Sequence, residues 1–298
     1  MSSDAAANNS PGEALFVPAH AQFEISDEEF AQISHTLLLK RGFNLNAYKD
    51  RCVRRRIAIR IRANHCQTVK EYCTLLLSQK DELDQLLKVL TIHVSQFFRN
   101  FATFEKLRRE IIPRLFAAAR QNGAAELRFC SLGCASGEEP YTLALILAEH
   151  FAREMQSIPV SIAAADVDAT TLEQAKRGVF SQERMQEMPA DYLQGYFSAS
   201  GAGYQLAPEI MAMVNFSLGD MFDNLLYRDC DLLLCRNVLI YFSREQQEKI
   251  FRNIAGVLGR HGFLVLGKSE TILGESRALF QTVCPVERMY RRHDAGEC

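Results

Sequence analysis

From about residue 104 onward, short apolar runs alternate with segments of helical periodicity. The runs are "LRFCSLG", "VSIAAADVD", "VNFSLGD", "DLLLCRN" and "FLVLGKSE", and the helical segments between them include "YTLALILAEHFAREM", "TTLEQAKRG" and "REQQEKIFRNIAGVLG". Strands separated by helices of crossover length form mostly parallel sheets with helices on both faces. Residues 104–298 are therefore predicted to form a doubly wound α/β domain, in which ligands bind at the carboxyl ends of the strands.

Other regions precede or interrupt this pattern. Residues 1–24 are rich in Ala, Ser, Asn, Gly and Pro and are predicted to form a disordered tail. Residues 25–92 carry helical patterns, starting with the N-cap candidate Ser26, and predict a domain of three or four helices. Residues 93–103 are predicted to link the two domains and to contribute to the ligand site, where the two aromatic residues of "SQFFRN" could either line a pocket or pack in the core. Residues 179–213 contain "SASGAGYQL", which predicts an inserted antiparallel β subdomain.

Composition disfavours several other classes of protein. The formal net charge of -2 gives the whole molecule no strong bias toward nucleic acid. The nine cysteines form no C-x-x-C pair and no zinc spacing, so we expect no metal. Several lie in apolar runs and are interpreted as small buried hydrophobes, and the thiols are expected to be reduced. No signal peptide and no apolar run of roughly 20 residues is visible, so a cytoplasmic protein without membrane insertion is expected.

The segment "FCSLGCASGEEPYTLAL" joins a predicted strand to a predicted helix through a turn that contains Gly133 and Gly137. Glycine lets the backbone turn tightly and approach a ligand closely. Glu138 and Glu139 at the helix start suit the helix dipole but would repel a pyrophosphate. The segment therefore disfavours a dinucleotide such as NAD and favours a ligand without phosphates, such as S-adenosylmethionine. A simple tight turn with acidic residues at the helix start is the alternative.

Polar residues also follow the other predicted strands. Asp166 stands where a carboxylate can accept hydrogen bonds from ribose hydroxyls, and Asp168 is interpreted as the cap of the next helix. A capping role for Asp166 is the alternative. Asp220 and Met221 follow a strand at a position that can meet an adenine edge. The polar pair Arg236 and Asn237 follows the buried run "LLLC", and a buried amide needs a hydrogen-bond partner.

Together these segments resemble the CheR family, the chemotaxis receptor glutamate methyltransferases. The resemblance rests on "SQFFRN", "GCASGEEPYTLAL", "ADVDATTLEQAKRGVF", "CRNVLIYF", "LVLGKSE" and "MYRR", and it covers about residues 25–293. It implies a Rossmann-like S-adenosylmethionine-dependent methyltransferase domain with an N-terminal all-helical domain and a small inserted antiparallel β subdomain. It also implies transfer of a methyl group from S-adenosylmethionine to receptor glutamates in sensory adaptation, with S-adenosylhomocysteine as the product.

The resemblance further implies a set of cofactor contacts. Carried over position by position, they are His93, Ser95, Arg99, Gly133, Glu139, Asp166, Val167, Asp220, Met221, Asn237 and Val238. Family members often have Asn in place of His93 and Thr in place of Ser95, and some have Asn in place of Asp220. Arg99 and Tyr241 are the candidates for steering the substrate carboxylate. No general base is assigned, because a glutamate with a reference pKa of about 4.3 is already ionised near neutral pH.

The segment "RCVRRRIAIRIR" has six arginines and no acidic residue. On a helix, Val53, Ile57 and Ile61 share an apolar stripe. The candidates for binding the substrate lie on one adjoining face, and they are Arg51, Arg54, Arg55 and Arg62. This basic face would attract the glutamate-rich helical cytoplasmic region of chemotaxis receptors, which the resemblance implies as the partner. A solvated charged face without a partner is the alternative.

Two other functions compete with this one. A nucleic-acid methyltransferase would use the arginines on phosphates, but the Asn/Asp-Pro-Pro-aromatic motif of amino-methylating enzymes is absent and "CRNVLIYF" takes its place. A non-catalytic binding module is disfavoured by the intact set of cofactor-loop residues. The expected protein is therefore a monomeric cytoplasmic enzyme that binds no nucleic acid and reaches membrane receptors through its substrate.

Overall fold

The structure is a computed structural model and describes residues 23–91, 95–222 and 229–293. Its N-terminal part is helical, as predicted, and contains α1 (Asp27–Arg41), α2 (Asp50–Ala63), α3 (Val69–Ser78) and α4 (Lys80–Leu90). Helix α1 begins with a capping box in which Ser26 and Glu29 satisfy each other's backbone N–H groups. It ends at Gly42, whose positive φ of 68° is readily adopted by glycine.

The apolar stripe of α2 lies in the core of the helical domain. Val53, Ile57 and Ile61 are at most 2% exposed and pack in one cluster with residues of the other three helices. Helix α2 begins at Asp50, one residue before the segment "RCVRRRIAIRIR". A short 3-10 helix (Leu45–Ala47) precedes it, and Tyr48 and Lys49 are extended and pair with the C-terminal half of the molecule, as described below for the site.

Glu82 of α4 forms a buried polar cluster with Arg60 and Tyr72. Its carboxylate accepts hydrogen bonds from Arg60 at 2.5 and 3.0 Å and from the Tyr72 hydroxyl at 2.6 Å. Burial alone would raise the pKa of Glu82, but these hydrogen bonds outweigh burial and hold the pKa below its usual value. The cluster ties α2, α3 and α4 together under the apolar core.

We expect Glu82→Gln to lower the free energy of unfolding by about 3 kcal/mol at pH 7, because it removes one partner of a buried ion pair. A lowered native pKa stabilises the fold above the unfolded-state pKa of about 4.3, and this contribution is lost as the pH falls through the native value. The difference from wild type should therefore shrink in urea titrations below about pH 4. Asp84→Asn, which changes an exposed carboxylate, is the control. If Glu82→Gln lost the same free energy of unfolding at pH 7 and below about pH 4, the assignment would be contradicted.

The rest of the described chain alternates strands and helices. The strands are β1 (Leu127–Leu132), β2 (Val160–Asp166), β3 (Val179–Ser181), β4 (Phe197–Ser200), β5 (Gly203–Leu206), β6 (Val214–Leu218), β7 (Cys230–Cys235), β8 (Leu258–Leu266), β9 (Phe280–Cys284) and β10 (Met289–Arg292). The helices are α5 (Phe101–Lys106), which continues through a π-helical segment (Leu107–Ile111) into α6 (Ile112–Asn122), then α7 (Glu138–His150), α8 (Ala152–Ser157), α9 (Ala169–Arg177), α10 (Ala190–Tyr196), α11 (Pro208–Met211) and α12 (Arg244–Val257).

Seven strands form one sheet in the order β6-β2-β1-β7-β8-β10-β9. The first five are parallel, which confirms the predicted doubly wound arrangement. Strands β10 and β9 extend the sheet in antiparallel fashion at one edge, which the sequence pattern did not indicate. The carboxyl ends of β2, β1 and β7 thus lie side by side, and this is where a ligand site is expected.

The insertion is an antiparallel sheet of three strands in the order β3-β5-β4. The "SASGAGYQL" segment forms the β4–β5 hairpin, whose turn contains Gly201 with a φ of 57°. This confirms the predicted antiparallel subdomain. Among the described residues, no helix is long and apolar enough to cross a membrane.

The cysteine prediction is wrong at one pair. Cys130 in β1 and Cys230 at the start of β7 are joined in a disulfide, because these neighbouring strands bring their Cα atoms to 6.5 Å. Three other cysteines are buried free thiols, as predicted, and they are Cys73, Cys134 and Cys235. Cys52 is exposed instead.

Candidate active site

Two adjoining pockets lie at the carboxyl edge of the parallel strands, and both are lined by Gly133 and Val238. The other residues of the first pocket are Tyr48, Thr91, Leu132, Ala165, Asp166, Val167, Gly219, Asp220, Met221, Tyr241 and Phe242. The other residues of the second pocket are Ser95, Gln96, Arg99, Phe104, Cys134, Ala135, Glu139, Arg236 and Asn237. The turns after β1, β2 and β7 therefore supply most of both walls.

Asp166 ends β2 and lies in the wall of the first pocket, where it is only 6% exposed. One carboxylate oxygen accepts a hydrogen bond from the Ala135 N–H at 2.9 Å, and the other accepts one from the Asp168 N–H at 3.0 Å. These bonds fix the carboxylate at the pocket and tie it to the turn after β1. Asp168 caps α9 by accepting from the N–H groups of Thr170 and Thr171, which confirms its interpretation as a cap.

The turn after β1 approaches the chain after β7 very closely. Gly133 has a φ of 67°, and a Cβ atom built on it would lie 2.5 Å from Cγ2 of Val238. A side chain at position 133 would therefore push Val238 out of place as well as strain the backbone. The glycine lets these two turns form a continuous wall between the pockets.

Glu139 in the first turn of α7 reaches the second pocket. Its carboxylate accepts hydrogen bonds from the Ser131 hydroxyl at 2.8 Å and from Arg236 at 3.2 Å. Burial raises the pKa of Glu139, and the Arg236 guanidinium opposes that shift. Arg236 also donates to the backbone oxygen of Arg99 at 2.7 Å and lies 5.0 Å above the Phe104 ring. Arg236 thereby fixes the chain segment that carries Arg99.

The helical domain closes one side of the first pocket with Tyr48 and Thr91. Tyr48 forms an isolated antiparallel bridge with Phe242, and their ring centroids lie 4.6 Å apart. The next residue, Lys49, donates its backbone N–H to the Tyr241 oxygen at 2.8 Å. Burial raises the pKa of Tyr48, so its hydroxyl stays neutral. The first pocket is therefore built by both domains.

Ten of the eleven predicted cofactor contacts line one of the two pockets, and the other, His93, lies outside the described residues. The aromatic residues of "SQFFRN" do not line either pocket, because Phe97 and Phe98 are at most 2% exposed and pack in the main core. Sequence reasoning did not assign several lining residues, namely Tyr48, Thr91, Gln96, Phe104 and Phe242. Arg236 was noticed as a polar residue at a strand end, and its neighbour Asn237 was assigned instead.

A basic groove opens beside the pockets. Its lining residues are Cys52, Arg55, Arg56, Ile59, Lys88, Val89, Ser136, Thr171, Gln174 and Arg184, so that four side chains are cationic and none of these described residues is acidic. Arg56 lies 5.0 Å above the ring of Tyr241, which belongs to the first pocket. Arg184 donates to the backbone oxygen of Ser95, which belongs to the second pocket, and its guanidinium lies 3.5 Å from Glu138. The groove therefore leads to both pockets.

Only part of the predicted arginine face reaches this groove. Of the four predicted residues, Arg55 lines it, whereas Arg51 is exposed elsewhere on α2. Arg54 is held by Asp27 and Asp50 at 2.6 and 2.8 Å, on the side of the helix that faces the start of the chain. Arg62 lies 5.9 Å from the centre of the Phe23 ring. The strip of α2 that lines the groove is rotated around the helix axis relative to the predicted face, and it includes Arg56.

Comparison with known proteins gives a consistent match. The model of the "CheR methyltransferase, SAM binding domain" matches residues 93–287, and that of the "CheR methyltransferase, all-alpha domain" matches residues 28–91. A "Chemotaxis protein methyltransferase" of Listeria innocua is 33% identical over 84% of this chain and 93% of that protein. A "Chemotaxis protein methyltransferase 2" of Vibrio cholerae is 30% identical over 83% of this chain and 87% of that protein. An uncharacterised 104.1 kDa protein of Rhodobacter capsulatus is 32% identical over 83% of this chain but only 26% of its own length.

Proposed function

Since this chain belongs to the CheR methyltransferase family, we propose that it methylates glutamate side chains of chemotaxis receptors. It is an S-adenosylmethionine-dependent methyltransferase of that family, and its relatives in Listeria innocua and Vibrio cholerae are named chemotaxis protein methyltransferases. The observation that carries the choice of glutamate is the basic groove beside the two pockets, because a cationic surface attracts acidic partners.

The two pockets fit the methyl donor. Asp166 and Asp220 face the first pocket, where carboxylates can accept hydrogen bonds from hydroxyl and amino groups. Glu139 in the second pocket suits a donor that carries an ammonium group and a sulfonium. In the transfer, a glutamate oxygen bonds to the methyl carbon as the carbon–sulfur bond breaks, and the sulfur keeps the electron pair, which leaves S-adenosylhomocysteine and a glutamate methyl ester.

Within this proposal, the side chains around the pockets align the substrate. Arg99 lines the second pocket, where its charge would steer the incoming carboxylate. Tyr241 lies between the first pocket and Arg56 of the groove and would contact the same carboxylate from the other side. No residue is needed as a base, because the glutamate is ionised near neutral pH. Alignment alone can account for roughly 7–11 kcal/mol of rate enhancement.

The groove would hold the glutamate-rich helical cytoplasmic region of a receptor. Arg55 and Lys88 are exposed, so they can meet acidic side chains as the receptor helix approaches. The enzyme would work in the cytoplasm as a monomer and would reach the membrane through its substrate. The shape and charge of the groove also suit phosphates, and a nucleic-acid substrate is therefore an outcome that the test must separate.

The test is transfer of a labelled methyl group from S-adenosylmethionine to a receptor cytoplasmic fragment. We expect label on the fragment that is released as methanol by mild base, since glutamate methyl esters hydrolyse there. A fragment with its methylation-region glutamates changed to glutamine is the control and should stay unlabelled. Base-stable label, or label on nucleic acid in a parallel reaction, would contradict the proposal.

A further inference from the structure

The Glu270 carboxylate lies beneath the wall between the two pockets and accepts four backbone hydrogen bonds. One oxygen accepts from the Gly267 and Asn237 N–H groups at 2.6 and 2.9 Å. The other oxygen accepts from the Val238 and Leu239 N–H groups at 2.8 and 2.7 Å. The residue is only 4% exposed. Hydrogen bonds to a buried carboxylate are strong, and four of them compensate its charge by peptide dipoles.

The turn that Glu270 holds has an unfavourable backbone conformation. Asn237 has a φ of 61°, in the left-handed region, which Asn adopts more readily than most residues but which still costs free energy relative to the right-handed conformation. The space around the carboxylate is also tight, because a Cβ atom on Gly267 would lie 2.7 Å from Oε2 of Glu270 and 2.8 Å from the backbone nitrogen of Asn237. Glu270 and the turn after β7 therefore form one closely fitted unit.

This turn carries two side chains of the site. Val238 lines both pockets and Asn237 lines the second, whereas Glu270 lines neither. We propose that Glu270 is a positioning residue, which holds the turn after β7 in the shape that places Asn237 and Val238 around the methyl donor. Through the close contact of Val238 with Gly133, it also fixes the spacing between the turns after β1 and β7.

Glu270→Gln tests the role, because glutamine keeps the size of the side chain but turns one acceptor into a donor. Two of the four N–H groups would then face an N–H instead of an oxygen, and the turn must shift. We expect the Kd for S-adenosylhomocysteine, measured by calorimetry, to rise about tenfold, as for the loss of hydrogen bonds to a charged group. In the transfer assay kcat should fall while KM for the receptor fragment stays unchanged, because Glu270 lies outside the basic groove.

Glu248→Gln is the matched control. Glu248 also anchors a loop, by accepting from the backbone N–H and the hydroxyl of Ser276, but it lines neither pocket. This variant should lose thermal stability and keep the wild-type Kd. A folded Glu270→Gln protein with wild-type Kd and kcat would overturn the positioning role.

One further measurement, and a comparison of the two readouts above, keep the outcomes separate. If Glu270→Gln does not fold, amide hydrogen exchange is measured on the wild type instead. The amides of Val238 and Leu239 should exchange slowly, and fast exchange there would refute the proposed role of Glu270. The kcat readout rests on the proposed function, whereas the calorimetric one does not. A raised Kd in the variant, with no receptor methylation by the wild type, would therefore overturn the substrate assignment and leave the role of Glu270 standing.

Discussion

Asp166→Ala is expected to raise the Kd for S-adenosylhomocysteine at least about a hundredfold, as measured by calorimetry. The substitution removes the carboxylate from the first pocket and leaves the N–H groups of Ala135 and Asp168 without their acceptor. Hydrogen bonds to charged groups contribute about 1.5–3 kcal/mol each, so if Asp166 accepts two from ribose hydroxyls, as we propose, their loss exceeds the roughly 2.7 kcal/mol of a hundredfold change. Because the turn after β1 also loosens, the effect includes the second pocket.

Asp168→Ala provides the comparison from the same loop. Asp168 caps α9 and lines neither pocket, so its loss should lower the free energy of unfolding by about 1 kcal/mol and leave the Kd unchanged. A fall in affinity of equal size in both variants would mean that the loop as a whole matters and would contradict a direct role for Asp166. If a folded Asp166→Ala protein bound S-adenosylhomocysteine with the wild-type Kd, Asp166 would not be a cofactor-binding residue.

Reversing two charges of the basic groove is the second large effect that we expect. In Arg55→Glu/Lys88→Glu, two exposed cations beside the path to the pockets become acidic. Like charges facing each other across an interface cost several kcal/mol, so kcat/KM for a receptor fragment should fall about a hundredfold at low salt. The deficit should decrease as the salt concentration rises, since exposed charges are screened. The Kd for S-adenosylhomocysteine should not change.

Arg51→Glu/Lys70→Glu makes the same change in net charge at exposed positions outside the groove. If attraction depends on the groove, this control should lose far less activity. Equal losses in both double variants would show that the overall charge steers the receptor, and the groove would no longer be the docking surface. A methyl-transfer assay at two salt concentrations separates these cases.

The parallel sheet and most of the pocket residues follow from local sequence patterns. Asp166, Asp220 and Asn237 each stand where an apolar run stops, and parallel strands must bring such positions to one edge. The antiparallel pair β9–β10 was missed, because a short strand such as "MYRR" lacks an apolar run of its own, although it pairs with a neighbour on each side. The apolar stripe of α2 was also predicted from the sequence, because the residues that face the core of a helical domain recur with the period of the helix.

The missed residues depend on contacts between distant parts of the chain. Tyr48 enters the first pocket only because its backbone pairs with Phe242, and no local pattern encodes that pairing. Glu270 is part of the motif "LVLGKSE", but its partners are backbone N–H groups. Every residue type except proline has such a group, so the sequence does not show which ones bind the carboxylate. Only Arg55 of the predicted arginine face lines the groove, because helical periodicity orders side chains around an axis without saying which strip meets the neighbouring domain. Arg56 was overlooked for this reason.

The bridge between Tyr48 and Phe242 joins the helical domain to the α/β domain beside the first pocket. The affinity for the methyl donor therefore depends on how stably the two domains dock on each other. A ligand enclosed by both domains binds only the docked arrangement, so the equilibrium of docking and the equilibrium of binding are thermodynamically linked. At a hundredfold excess over its Kd, such a ligand stabilises the docked form by about 2.7 kcal/mol. We therefore expect the helical domain and the sheet to unfold as one cooperative unit when the ligand is bound, and changes at the Tyr48–Phe242 contact to weaken binding even when the other pocket residues are intact.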